Sequence, residues 1–207
     1  ARYAEGPMSS RYDFQIEQGA TFSPVLRYTQ PHLVVKTITG ITKSAQAVVT
    51  AASHGLTVDW PVYITGVVGM TQINSDPDDL KRPARAYQAY YVSANTMRLN
   101  LDSTRFNAYT SGGELVYHPP FDLTSYTARM QIRETLESTT TLEELTTANG
   151  GITLGGTAGT ITLLLTATET AALDFETAVY DLELISGAGV VTRLMHGKVV
   201  LVDEVTR

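Results

Sequence analysis

From position 126 to 133 the chain reads YTARMQIR, which sets Tyr126, Ala128, Met130 and Ile132 on one side of an extended backbone and Thr127, Arg129, Gln131 and Arg133 on the other. Successive side chains of a strand point to opposite faces, so this segment predicts a strand with one buried and one wet face. The same alternation occurs at 12–17 (YDFQIE); Gly19 then breaks it and 22–28 resumes an extended run, predicting strand, turn, strand. Further strands are expected at 152–154, 160–165, 178–185 and 190–202, divided by Gly150-Gly151, Gly155-Gly156 and the glycines at 187 and 189. Gly197 lies inside the last and longest run, where it predicts a bulge or bend that passes the chain between sheets. Only 166–173 (TATETAAL) reads as helix, with Thr166 or Thr168 as cap and Glu169 in the first turn. The expected fold class is all-β: an immunoglobulin-like antiparallel β-sandwich.

That sandwich is expected to be discontinuous in sequence. Residues 38–118 have their own character, with short strand candidates at 47–50, 61–65, 89–92, 97–101 and 114–117, closed by Pro119-Pro120. This block carries six basic and six acidic residues, which leaves the whole formal charge of −6 on the remainder. The strands before it cannot stand alone, because an isolated hairpin is marginal in water, and they need the strands after residue 121. The sequence thus divides into an N-terminal arm (1–10), an outer sandwich (11–37 and 119–207) and an inserted small β-barrel (38–118). The arm holds Gly6-Pro7 and few apolar residues, so it is expected not to pack on its own domain but, in an assembly, to add to a neighbour's sheet edge or lie in a groove.

Composition narrows the function. At 207 residues with 43% hydrophobic content, the chain can build real cores. A net charge of −6 and a pI near 5.2 argue against wrapping nucleic acid, which needs clustered Lys and Arg. With no cysteine there is no disulfide, thiol nucleophile or Cys-ligated zinc. The longest apolar runs fall far short of the roughly 20 residues of a spanning helix, and 1–10 lacks a signal-peptide core, so a soluble chain without a membrane partner or export signal is expected.

Two stretches carry a family resemblance. FQIEQGATF at 14–22, followed after the block by FDLTSYTARMQIR at 121–133, resembles the N-terminal domain of tailed-phage baseplate upper proteins and related virion proteins. ITL at 161–163, ATETAAL at 167–173, YDLEL at 180–184 and VTRLMHG at 191–197 follow in the order seen in that family. Within the block, AVVT (47–50), SHGL (53–56), VYITGV (62–67), GMTQIN (69–74) and NAYTSGG (107–113) are similar to the small barrel known as the FCCH module of ubiquitin-activating enzymes, which decorates phage proteins as an insert. The match departs at SDPDDLKRPAR (75–85), and nothing of ubiquitin chemistry follows from it. The resemblance implies a structural component of a tailed-phage virion (tail, baseplate or neck), assembled in the host cytoplasm, that docks other virion proteins as a homo-oligomer, with three-fold or six-fold order about the tail axis. The rival expectation is a carbohydrate- or host-surface-binding module.

No residue pattern nominates catalysis, a cofactor or a metal site. His32, His54, His118 and His196 lack metal-ligand spacing and read as structural, and no Gly-x-Ser-x-Gly elbow supports a triad. Asn74, Ser75, Asp76, Asp78 and Asp79 gather oxygens that Ca²⁺ would accept, but without the EF-hand glycine and closing glutamate; a solvated, Asx-capped turn is expected. With Lys81, Arg82 and Arg85 behind them, Asp76, Asp78 and Asp79 form a candidate partner-contact loop. Glu143 and Glu144, with Glu134 and Glu137 nearby, are adjacent on a strand and would not converge as a glycosidase pair. Tyr87, Tyr90 and Tyr91, with Trp60 and Tyr63, are candidate surface aromatic contacts for a sugar, against the alternative of core and rim.

Overall fold

The computed structural model describes residues 3–4, 10–76, 78–79 and 83–204. Its strands, in chain order, are β1 (Tyr3–Ala4), β2 (Ser10–Arg11), β3 (Phe14–Glu17), β4 (Val25–Tyr28), β5 (Val34–Thr37), β6 (Gly40–Ile41), β7 (Val48–Thr50), β8 (Trp60–Val68) and β9 (Tyr87–Ser93). They continue with β10 (Thr96–Leu99), β11 (Ser111–Tyr117), β12 (Thr127–Arg133), β13 (Glu143–Thr146), β14 (Ile152–Leu154), β15 (Thr160–Leu163), β16 (Thr177–Ile185) and β17 (Val191–Val202). The chain is nearly all β and forms two compact units: Gln30–Pro119, and a discontinuous unit of Ala1–Thr29 with Pro120–Arg207.

The discontinuous unit is a sandwich of two sheets, ordered β1-β4-β15-β14 and β13-β12-β16-β17-β2, with β3 also on β17. This is the immunoglobulin Greek-key order: β4, β15 and β14 take the places of strands B, E and D, and β17, β16, β12 and β13 those of G, F, C and C′, while β1 lies beside β4 in parallel, unlike an antiparallel strand A. Alternation explains the pairing. Ala128, Met130 and Ile132 of β12 and Ala178, Tyr180, Leu182 and Leu184 of β16 are buried, and they face Leu26, Ile152, Ile161 and Leu163 of the other sheet in one core.

Among the described residues the one α-helix, α1 (Ala167–Ala171), lies between β15 and β16. Thr166 caps it in a reciprocal box with Glu169. The buried Thr170 hydroxyl ties it to the turn ahead of β4 through the Ala20 carbonyl, at 2.9 Å.

The other unit closes a barrel. Its seven strands run β5-β11-β8-β9-β10-β7-β6, and the two ends of that path, β5 and β6, are successive stretches of one chain segment. Thr39 N–H, between them, bonds the Thr50 carbonyl at 2.9 Å while Ile38 N–H bonds Gly113 O at 2.9 Å, so the segment leaves one neighbour and joins the next. β8 turns the opposite corner, pairing with β9 over Trp60–Val62 and with β11 over Tyr63–Val68. Trp60, Ile64, Met70, Ile73, Leu99 and Leu115 fill the interior.

Three expectations are corrected. The insert begins at Gln30, because β5 finds its partner in β11 (Val35 opposite Val116); Lys36 is the one charge between 30 and 37, so charge offered no marker there. β17 stays in one sheet through Gly197, and its register break falls at Leu194 instead, where Leu194 and Met195 are both buried. Of the arm expected to avoid its own domain, Tyr3–Ala4 pairs with Arg27–Tyr28 and Ser10 with Met195; these sheet edges carry backbone groups that the N-terminal segment satisfies. The remaining arm residues, 1–2 and 5–9, lie outside the described residues.

Candidate functional site

In the barrel, Asp76, Asp78 and Asp79 are tied to one another by local hydrogen bonds. Asp76 Oδ1 accepts the Asp78 N–H at 2.9 Å, Asp79 Oδ2 accepts the Asp76 N–H at 3.3 Å, and the Asp79 N–H returns to Asp76 O at 2.8 Å. The preceding residues are pinned to β8: the Asn74 amide bonds the Val67 N–H and C=O at 2.9 and 3.1 Å, and Ser75 Oγ accepts the Ile64 N–H at 3.2 Å. The Asp76 and Asp78 side chains are left exposed on a fixed scaffold. Arg85 ends a short 3₁₀ turn and is also exposed, while Lys81 and Arg82 of the candidate loop lie outside the described residues.

The tyrosines do not form one platform. Tyr87 packs against the barrel core and donates its hydroxyl to Ile73 O at 3.0 Å; burial, then the nearby Asp79 carboxylate, raises its pKa above the ordinary phenol value. Tyr90 faces the other way and lies under the Arg98 guanidinium, 4.8 Å from ring centroid to Cζ. Tyr91, exposed, meets the buried His54 ring edge-on at 6.2 Å. Trp60 and Tyr63 are buried outright. Tyr90 is opposite in parity to Tyr87 and Tyr91, and Tyr87 is held against the core, so the three do not present one common face.

His54, His118, Glu143 and Glu144 serve as local connectors. His54 Nδ1 accepts the Leu56 N–H at 3.2 Å, which makes Nε2 the donor to Ser93 O at 2.7 Å, and Tyr117 donates its hydroxyl to the His54 carbonyl. His118 Nδ1 bonds Gln30 O at 3.2 Å. Glu144 accepts from Gln131 at 2.7 Å and Glu143 accepts the Glu144 N–H at 3.1 Å; Glu134 and Glu137 are exposed. Among the described residues no three His, Cys, Asp or Glu stand where they could hold a metal ion, and no helix is long and apolar enough to cross a membrane.

What sequence reasoning missed lies on the outer face of the sandwich's larger sheet. Three ion pairs mark it: Arg129–Glu183 at 2.7 Å, Arg193–Asp181 at 3.7 Å and Arg11–Asp13 at 3.7 Å. Beside the last two lies a groove of about 320 Å³ lined by Arg11, Leu136, Val179, Asp181, Arg193 and Lys198. These residues come from β2, the β12–β13 loop, β16 and β17, and only the register of those strands brings them together. Asp13 at the rim accepts the Lys198 N–H at 2.9 Å, a bond that, with Arg11 adding its charge, holds the carboxyl below the usual range. No family model matches the chain, and no curated protein matches it.

Proposed function

We propose that this chain is a structural component of a tailed-phage virion that docks other virion proteins, in several symmetric copies, through protein–protein contacts. The observation that supports it most is how the side chains are spent. Polar groups close backbone bonds within each unit, whereas valines stand in water at outward positions of β17, at Val191, Val200 and Val202. A rigid β scaffold with exposed apolar strand positions is suited to binding other surfaces. The immunoglobulin-type order and the barrel between its second and third core strands agree with the resemblance carried by 14–22, 121–133 and the C-terminal words. The test is mass spectrometry of purified, gradient-banded particles with cross-linking. The chain is expected in stoichiometric amount, cross-linked to itself and to neighbours; its absence from particles, together with a monomer at all concentrations, refutes the reading.

A further inference from the structure

We propose that Asn149-Gly150, at the outer edge of the sandwich's larger sheet, is a deamidation site whose reaction the folded turn holds back and whose isoaspartyl product uncovers that edge. The step needs no partner and is independent of the docking reading above. Of Asn74, Asn95, Asn100, Asn107 and Asn149, only the last precedes a glycine. Both residues of the pair are exposed, and nothing lies within 4 Å of a Cβ placed at Gly150. Among the described residues no acceptor holds the Gly150 N–H. A glycine nitrogen, with no Cβ beside it, can come closer to a neighbouring carbonyl carbon than that of any other residue.

The Asn149 side chain has a second role. β13 is the outermost strand of the larger sheet, and an outermost strand needs something to occupy its open side. Asn149 Oδ1 accepts the Thr146 N–H at 2.8 Å while its Nδ2 donates to the Glu144 carbonyl at 2.8 Å. One carboxamide thus takes a donor and an acceptor of β13, as the peptide group of an added strand would. Oδ1 also accepts the Gly151 N–H at 2.9 Å, and the Asn149 N–H returns to Thr146 Oγ1 at 3.0 Å. The reactive amide and the edge guard are the same group.

The chemistry needs only water. The Gly150 nitrogen gives its proton to water or hydroxide and bonds to Asn149 Cγ; the Cγ–Nδ2 bond breaks, and the nitrogen takes up a proton and leaves as ammonia. Water then opens the five-membered imide. Attack at Cγ gives aspartate, and attack at the main-chain carbonyl of residue 149 gives isoaspartate, so one amide nitrogen is exchanged for one oxygen without oxidation. Closing that ring swings the carboxamide back onto its own main chain and off residues 144 and 146. The bonds to Thr146, Gly151 and Glu144 oppose the swing, so the reaction proceeds from the locally opened turn. Aspartate can still accept the Thr146 and Gly151 N–H groups but has nothing to donate to Glu144 O. Isoaspartate adds a carbon to the main chain and carries the side group off the edge altogether.

The test incubates the full chain at mildly alkaline pH, folded and in guanidinium chloride, and follows the Asn149 peptide by mass spectrometry with aspartate and isoaspartate separated by chromatography. Asn149 is expected to react faster than the other four asparagines in the unfolded chain, and to be slowed at least roughly tenfold by folding, as the loss of three hydrogen bonds would require. Gly150→Ala is expected to slow the unfolded reaction several-fold. Thr146→Ala, which removes the hydroxyl that holds the Asn149 N–H and leaves the core alone, is expected to speed the folded one several-fold, with a thermal melt checking that the fold is kept. Hydrogen exchange at the Thr146 amide reads the edge: it is expected to quicken in folded chain carrying isoaspartate and to stay slow in Asn149→Asp. Equal rates in the folded and unfolded chain overturn the proposal, as does an Asn149 that reacts no faster than the other asparagines when unfolded. So does Thr146 exchange that is unchanged in the isoaspartyl chain, because the carboxamide is then not what closes the edge.

Discussion

Gly197→Ala tests how the N-terminal strands are joined to the sandwich. An ideal Cβ at Gly197 stands 1.9 Å from the Tyr12 carbonyl oxygen, 2.7 Å from its carbon and 2.9 Å from Asp13 Oδ1, where real Cβ contacts essentially never fall under 3.0 Å. Backbone, not a flexible side-chain tip, has to retreat. Three hydrogen bonds converge on that stretch: Tyr12 N–H to His196 O at 2.9 Å, the Tyr180 hydroxyl to Tyr12 O at 2.8 Å, and Lys198 N–H to Asp13 Oδ1 at 2.9 Å. At about 1 kcal/mol net for each, their loss costs roughly 3 kcal/mol. The backbone of Gly197 is outside the left-handed region, so alanine adds no dihedral strain and regains about 0.5 kcal/mol by stiffening the unfolded chain. Urea unfolding is expected to show a net loss of about 2–3 kcal/mol, with hydrogen exchange faster in β3, where Phe14 and Ile16 are buried. The matched control is Gly189→Ala: its φ is +78° and nothing lies within 4 Å of the added carbon, so it pays dihedral strain alone, about 1 kcal/mol. A Gly197→Ala loss under about 0.5 kcal/mol refutes the close approach as the reason for glycine here.

A fragment of residues 30–119 is expected to fold alone, since its strands close on themselves around their own core; dispersed amide NMR signals and a cooperative melt check it. Ser103→Ala is expected to destabilise that unit by about 1–3 kcal/mol in a urea melt, because the buried hydroxyl both accepts the Ser44 N–H at 3.0 Å and donates toward Thr42 O, at 3.0 Å, and leaves these unmatched when removed. Acid should destabilise the chain progressively. Asp13, Asp102, Asp122 and Glu169 are held below their ordinary 3.8 and 4.5, foremost by hydrogen bonds from the Lys198 N–H, the Thr104 hydroxyl, the Thr124 hydroxyl and the Thr166 N–H respectively. Carboxyls depressed in the folded state contribute stability that is present above the unfolded values and lost as pH falls through the folded ones. Melting temperature is therefore expected to hold from neutral pH to about 5 and to drop below 4; a flat profile down to pH 2 contradicts the assignment.

The parts of the fold legible in the sequence are those where one face is buried and the other wet. β12 and β16 alternate cleanly because each packs on the core with one side only, and Thr166 with Glu169 announces α1 through a local, reciprocal bond. β13 carries no alternating pattern of its own, because Leu145 is its one buried apolar residue, between Glu143-Glu144 and Thr146; its strand character comes from pairing with β12. β5 was assigned to the wrong unit for the same reason, its partner β11 lying far along the chain. Gly197 was visible as a special position, but its cause, the Tyr12 carbonyl, is a tertiary contact that no local pattern encodes. The groove was illegible altogether: Arg11 and Lys198 are unremarkable charges until β2 aligns in parallel with β17.

The same register logic explains how the sandwich tolerates a ninety-residue guest. Thr29 and Pro120, the last host residues on either side, form an antiparallel bridge, and the Phe121 N–H bonds Tyr28 O at 2.9 Å. On the guest side the Gln30 N–H bonds Pro119 O at 2.9 Å. The chain thus leaves and re-enters through two adjacent, hydrogen-bonded strands, so the host meets the ends of the insert as it would meet the stem of a hairpin. Loop-closure entropy grows only logarithmically with length, and here a folded barrel holds its own termini together, which removes most of that cost as well. Replacing Gln30–Pro119 by a two-residue Asn-Gly turn is therefore expected to leave the sandwich folded, with a single cooperative urea transition. If the shortened host is instead unfolded at neutral pH, the barrel is part of the sandwich's stability and the two units are not independent.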